Sequence, residues 1–261
     1  MSNKINFLTV ISVLIYSSLS FASDAESEQP KPYKVIENPE QHIAQEFELA
    51  EQQNKQVLFV LGGNWCHDSQ SLAQKLSDQS LTKTLKQSYR VSMIDVGYYQ
   101  YGYEFTRLAN MQAFYATPTV LIFDPKSRKH LNADDMHQWG NAYRIAQDDT
   151  TKYFKDYAQP VADSIDIAKF SDQQVVKLTE LEAFRAQQEQ RIVSGYQVVG
   201  PMLKAYEEKS APEEFDQYWG ELRGLRSTLP KDLAKLKQQI IDKPDAPLVF
   251  PDYPRFTWES K

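Results

Sequence analysis

Five consecutive apolar residues, Val57-Leu58-Phe59-Val60-Leu61, run straight into Gly62-Gly63-Asn64 and then Trp65-Cys66-His67-Asp68-Ser69. An apolar run of this length, closed by turn residues, reads as a buried strand, and such strands suit parallel sheets covered by helices. Leu72, Ala73 and Leu76 follow at helical spacing, which puts Cys66 at a strand-to-helix turn. Upstream, Asn38 caps a helix with Pro39 at its first position, and Ile43, Ala44, Phe47 and Ala50 are expected on one face. Downstream, Tyr89–Val96 reads as a second strand and Thr117–Pro125 as a third, opened by Pro118 where a sheet tolerates proline. Strands alternating with helices over about 120 residues indicate an α/β layered domain.

After Pro160 the pattern changes. Ser171 with Gln174 forms a capping-box start, and Val175, Leu178, Leu181, Phe184, Ile192, Tyr196, Val199 and Leu203 keep a helical spacing in a Gln-rich background. Gly195 and Pro201 are expected to interrupt or kink that helix. Two further helices are predicted at about 213–227 and 230–242, before a tail bearing Pro244, Pro247, Pro251 and Pro254. The apolar stripe is no sustained heptad, so it is expected to pack on the first domain rather than to form a coiled coil.

The N-terminus carries Lys4, the apolar run Phe7–Tyr16 and the small-x-small ending Ser20-Phe21-Ala22. This predicts a secretory signal peptide over residues 1–22 and a periplasmic location, since the run is shorter than the ~20 residues of a membrane span. Residues 23–37 are acidic and Pro-bearing and read as a linker, leaving 38–158 for the α/β domain and 159–261 for a helical region with a Pro-rich tail. The whole chain holds 29 basic and 35 acidic residues; without residues 1–22, which contain Lys4 and no acid, the balance is 28 to 35, a net charge of −7. That excess makes nucleic acid and anionic membrane surfaces poor partners.

Cys66 is the only cysteine, so no internal disulfide can staple the fold. A cysteine at a helix N-terminus faces unsatisfied N–H groups and the positive end of the helix dipole, which favour thiolate. A protonated His67 would add to this and Asp68 oppose it, unless both are merely solvated first-turn residues. The plainer alternative for Cys66 is a buried, inert thiol.

The order of helix, Val57–Leu61 strand, Trp65-Cys66-His67-Asp68-Ser69, second strand and Ala116-Thr117-Pro118-Thr119 resembles the thioredoxin superfamily. More narrowly, it is similar to exported thioredoxin-like proteins with a W-C-H-D-S motif. The resemblance covers residues 38–158 and implies a three-layer domain, a central mixed sheet flanked by helices. It also implies that Trp65, Thr117 and a cis Pro118 face Cys66 and dock an extended substrate by strand-like hydrogen bonds. Two departures follow: Ser69 replaces the second motif cysteine, and Val60 stands where the family keeps a buried acid. A dithiol cycle is therefore excluded.

What remains is monothiol chemistry, with Cys66 as nucleophile and Ser69 and His67 as its neighbours. Ser69 is expected to hydrogen-bond the Cys66 thiolate from the next turn. Mixed disulfides would form with protein substrates or with glutathione as co-substrate, no resident cofactor being expected. The competing function is a non-catalytic binding module. A metal site is disfavoured, because adjacent Cys66 and His67 make a poor chelating pair and no ligand spacing supports them. Tyr98, Tyr99, Tyr101, Tyr103 and Phe105 lead into a short helix through Leu108 and Met111. They either line a groove near Cys66 or, as the stronger expectation, pack the helical region onto the sheet.

Overall fold

The computed structural model describes residues 31–158 and 170–260; the expected signal peptide, the first part of the expected linker and the boundary at Pro160 lie outside the described residues. The apolar run forms β1 (Gln56–Gly62), buried from Val57 onward. It lies between β2 (Tyr89–Asp95), to which it is parallel, and β3 (Thr119–Phe123), to which it is antiparallel. Strand period two divides its side chains between two cores. Val57, Phe59 and Leu61 face one side with Ile43, Phe47 and Ala50 of α1 (Pro39–Gln53). Leu58 and Val60 face the other, with Leu72 and Leu76 of α2 (His67–Ser77) and Leu81 and Leu85 of α3 (Gln79–Ser88). The result is the expected mixed sheet between helical layers.

Helix α1 starts as the sequence predicts, with the Gln41 N–H donating to Asn38 Oδ1 at 3.2 Å and Pro39 in its first turn. Its buried face differs in one residue. Ala44 is exposed and Glu46 is buried. The carboxylate can enter because Arg90 of β2 grips it with two bonds, Nε at 2.9 Å and Nη2 at 2.8 Å.

Residues 31–37, expected as linker, belong to the packed domain instead. Tyr33 is buried, and Lys34 pairs with the outer edge of β2 through Lys34 N–H to Met93 O (3.1 Å) and Asp95 N–H to Lys34 O (2.8 Å). A free strand edge accepts any extended segment that also brings an apolar anchor, which Tyr33 does. Residues 126–158, for which the sequence showed no element, contain a 3-10 helix (Met136–Arg144) and α5 (Gln147–Tyr157) that complete the α2 side with Trp139 and Phe154. The short α4 (Tyr103–Leu108) follows the aromatic stretch.

The helical region consists of α6 (Asp172–Glu207) and α7 (Phe215–Asp242). The capping box at Ser171 and Gln174 opens α6 as expected, but neither Gly195 nor Pro201 interrupts it. A Cβ at Gly195 would sit 2.7 Å from Leu222 Cδ1, so this glycine lets α7 approach rather than ending a helix. Likewise the two helices predicted at 213–227 and 230–242 are one, running through Pro230. Burial of Val199 and Leu203 around Pro201, and of Arg226 and Leu229 before Pro230, outweighs the lost backbone bonds. The tail returns along α6, where Phe250 stacks on Phe184 at 4.6 Å and Arg191 donates to Pro254 O at 2.6 Å. No described helix is long and apolar enough to cross a membrane.

This region is continuous with the first core. Ile192, Tyr196, Val199, Leu222, Leu225 and Leu229 share a cluster with Phe59, Phe105 and Phe114. Tyr99 is the hinge of that contact, stacked on Tyr196 at 4.2 Å and on Trp219 at 6.1 Å. Of the two readings of the aromatic stretch, Tyr99 and Tyr103 follow the packing one.

Candidate functional site

The loop between β1 and α2 is clamped through Asn64 to the N-terminal segment and to the end of β2. Asn64 Nδ2 donates to Tyr33 O (3.0 Å) and to Asp95 Oδ2 (2.9 Å), while the Tyr33 N–H donates to Asn64 Oδ1 (3.2 Å). Gly62 has no room for a side chain, since a Cβ there would lie 2.4 Å from the Tyr33 ring and 2.8 Å from Ser69 Oγ. The clamp delivers Cys66 to the N-cap position of α2 with extended backbone and a partly exposed side chain.

The sulfur is held by one residue from a distant loop. The Cys66 thiol donates to Thr117 O at 3.2 Å, and the Thr117 hydroxyl donates to Sγ at 3.4 Å. The Thr117–Pro118 peptide is cis. Thr117 and Pro118 are both buried at the start of β3. The neighbouring Trp65 turns to the loop after β2, its indole N–H donating to Gly97 O at 2.9 Å and its ring stacked on Tyr98 at 6.0 Å.

Ser69 does not serve the sulfur as expected. It is fully buried, its Oγ accepts the Gly63 N–H at 3.3 Å, and its carbonyl accepts the Tyr33 hydroxyl at 2.8 Å. Three residues into α2, its side chain points inward to the loop clamp and its hydroxyl is already engaged. Burial first, and then the charge of Cys66, push the Tyr33 phenol far above its ordinary range, so it acts as a neutral donor. His67 is exposed with its ring 4.3 Å from that of Tyr143, and Asp68 Oδ1 accepts the Tyr143 N–H at 2.9 Å. Both therefore engage the 3-10 segment across the turn. Val60 is buried among apolar residues on the α2 side of the sheet.

These features occur within a segment that matches the family model described as thioredoxin-like, over residues 38–125. The chain carries a thioredoxin-like domain. A solved structure described as a disulphide isomerase from Xylella fastidiosa Temecula1 is similar at 20% identity and a TM-score of 0.45, covering 50% of this chain and 99% of that one. No curated protein matches the chain. Among the described residues no group of three or more His, Cys, Asp or Glu side chains could hold a metal ion.

Sequence reasoning missed the residues that reach the thioredoxin-like site from the helical region. The loop before Pro118 is gripped from α6 and α7: Glu189 accepts the Gln112 N–H (2.7 Å) and the Tyr115 hydroxyl (2.5 Å), Tyr196 donates to Phe114 O (2.6 Å), and Arg226 Nε donates to Tyr115 O (2.9 Å). Burial raises the Glu189 carboxyl above its ordinary value, with the Tyr115 hydroxyl the leading group opposing it. The available signal was a polar residue inside an apolar stripe, as Arg226 stands between Leu222, Leu225 and Leu229. A cavity of about 660 Å³, lined by Met111, His130, Met136, Leu181 and Leu233 among others, includes none of the Trp65–Ser69 residues.

Proposed function

We propose that this protein is a monothiol thiol-disulfide exchange protein of the cell envelope, with Cys66 as nucleophile. The observation that carries the reading is the placement of a partly exposed sulfur at the start of α2, between the carbonyl and the hydroxyl of Thr117 beside Pro118. A helix N-terminus and a hydroxyl donor both favour sulfur as anion. The thiolate attacks one sulfur of a substrate disulfide, forming a Cys66–substrate disulfide and expelling the other substrate sulfur as thiolate. With no second cysteine in the chain, release requires an outside thiolate, from the substrate itself or from glutathione, which attacks the mixed disulfide and regenerates Cys66. That sequence of steps suits isomerisation or deglutathionylation and leaves no net oxidation of the protein. The cell-envelope location is supported by Lys4, the apolar Phe7–Tyr16 run and the Ser20-Phe21-Ala22 ending. An extended substrate segment would lie at the rim formed by the partly exposed Trp65 and Cys66, with the buried Thr117 and Pro118 beneath it.

Incubation with glutathione disulfide tests this. The expected product is a single glutathione adduct on Cys66, absent from Cys66→Ser and reversed by added thiol. If Cys66 is modified only after unfolding, it is a structural thiol and the domain is a non-catalytic binding module.

A further inference from the structure

The loop that ends at Thr117 has no backbone framework of its own. Among the described residues, 112–117 make no hydrogen bond to another backbone group, although Ala113, Phe114 and Thr117 are buried. Buried peptide groups need partners, and side chains of α6 and α7 supply them. The Gln112 N–H donates to Glu189 Oε2 (2.7 Å), the Phe114 carbonyl accepts the Tyr196 hydroxyl (2.6 Å), and the Tyr115 carbonyl accepts Arg226 Nε (2.9 Å). At the head of the loop Arg185 Nη2 donates to Asn110 O at 2.7 Å.

Glu189 differs from the other three in holding this loop at two points. Its Oε1 accepts the Tyr115 hydroxyl at 2.5 Å, so a single carboxylate ties residue 112 to residue 115. The side chain is fully buried in α6, with Arg185 Nε 3.8 Å from Oε1 and Arg185 itself shared with Glu182. Burying a carboxylate is costly, and the two donors and Arg185 offset that cost. An apolar residue would pack the same face without it, but only a two-oxygen acceptor fixes the spacing of Gln112 and Tyr115.

What happens at Tyr115 reaches the sulfur through covalent backbone. Thr117 is two residues further on, and Ala116 between them is pinned: a Cβ at Gly140 would lie 2.5 Å from Ala116 Cβ, and the Thr119 hydroxyl donates to Ala116 O at 2.7 Å. The Thr117 hydroxyl then donates to Cys66 Sγ at 3.4 Å. We infer, on the reading of Cys66 as a nucleophilic thiolate, that Glu189 is a positioning residue for the exchange reaction: by fixing residues 112–115 it sets the Thr117 hydroxyl against the sulfur. Glu189 does not touch Cys66. Its influence is geometric, because a hydrogen bond weakens steeply once donor and acceptor lose alignment. A buried polar network with every member satisfied holds one arrangement of the loop, and losing the shared acceptor leaves two donors unpaired and the loop free to shift.

The test measures alkylation of Cys66 by iodoacetamide in the full chain against pH, for the parent, Glu189→Met, Glu189→Gln, Thr117→Val and the double variant Glu189→Met with Thr117→Val. Glu189→Met is expected to react several-fold more slowly at neutral pH, up to the roughly tenfold that loss of a hydroxyl donor to a charged sulfur costs, and to converge with the parent in alkali. Glu189→Gln, whose oxygen still accepts the Gln112 N–H and whose amide can donate to the Tyr115 oxygen, should stay near the parent. The double variant should be no slower than Thr117→Val alone, since both changes remove the same contact. If Glu189→Met does not fold, Tyr115→Phe, which removes one of the two bonds, decides in the same direction. Parent-like rates in a folded Glu189→Met, or in Tyr115→Phe where it stands in, overturn the inference. So do effects that add to Thr117→Val, a deficit that persists in alkali, or Glu189→Gln as slow as Glu189→Met. The expected pattern in a protein that gives no adduct with glutathione disulfide supports the inference and rejects the exchange function.

Discussion

Thr117→Val isolates the hydroxyl that touches the sulfur. Valine keeps the branched shape of threonine and the peptide to Pro118, and it leaves the Thr117 carbonyl, which accepts the thiol in the ground state, in place. What disappears is the 3.4 Å donation to Sγ. At 6% exposure there is no room for solvent to replace it. A hydrogen bond to a charged group contributes about 1.5–3 kcal/mol, and a sulfur acceptor at the long end of the distance range takes the lower figure. About 1.5 kcal/mol corresponds to roughly a tenfold smaller thiolate population at neutral pH. Alkylation under limiting reagent, followed by intact mass, reads that population as a rate. Thr117→Val is expected to react about tenfold more slowly than the parent at neutral pH, with the two rates converging in alkali where both sulfurs are ionised. Thr117→Ser, which keeps the hydroxyl, should stay near the parent. Equal neutral rates for Val and parent would refute the reasoning, and a deficit that persists in alkali would mean that the substitution altered access to the sulfur instead of its charge.

Two further outcomes concern the scaffold. Burial, the leading cause, pulls the His130 pKa from 6.5 down to about 4, and its Nε2 has no hydrogen-bond partner among the described residues. Because the folded value lies below the unfolded one, its contribution is complete above pH ~6.5 and is lost as pH falls through about 4, to a total of about 3 kcal/mol. Denaturant unfolding at neutral pH and at about pH 4.5 should therefore show a loss larger by roughly 2–3 kcal/mol in the parent than in His130→Leu; equal losses would contradict the burial of a neutral imidazole. Gly195→Val places a Cβ 2.7 Å from Leu222 Cδ1 and is expected to destabilise the α6–α7 contact by about 1–3 kcal/mol in thermal unfolding, with an unchanged midpoint arguing against that close approach.

Local information made several elements legible. Asn38-Pro39, Val57–Leu61 and Ser171 with Gln174 each specify a cap or a strand within a few residues, and each appears where the sequence predicts. Errors arose where a partner far along the chain decides the outcome. Glu46 rather than Ala44 enters the core because Arg90, 44 residues on, neutralises it. Pro201 and Pro230 remain inside helices because burial of Val199, Leu203 and Leu229 in the α1-side core outweighs a local penalty. Tyr33 looked like linker because a docking edge leaves no periodicity in the segment that docks.

The candidate site divides along the same line. The order of strand, Trp65-Cys66-His67-Asp68-Ser69 and Thr117-Pro118 was readable by itself, and so was the restriction to one thiol, because covalent chemistry depends on the residues a chain possesses. Which group meets the sulfur was not. Spacing suggested Ser69, one helical turn away, but the start of α2 turns that hydroxyl inward to Gly63. Thr117 arrives from 51 residues away, on a loop held by two helices from the far end of the chain, through Glu189 of α6 and Arg226 of α7. Sequence spacing governs what is close along one helix; only the packed layers decide what is close in space.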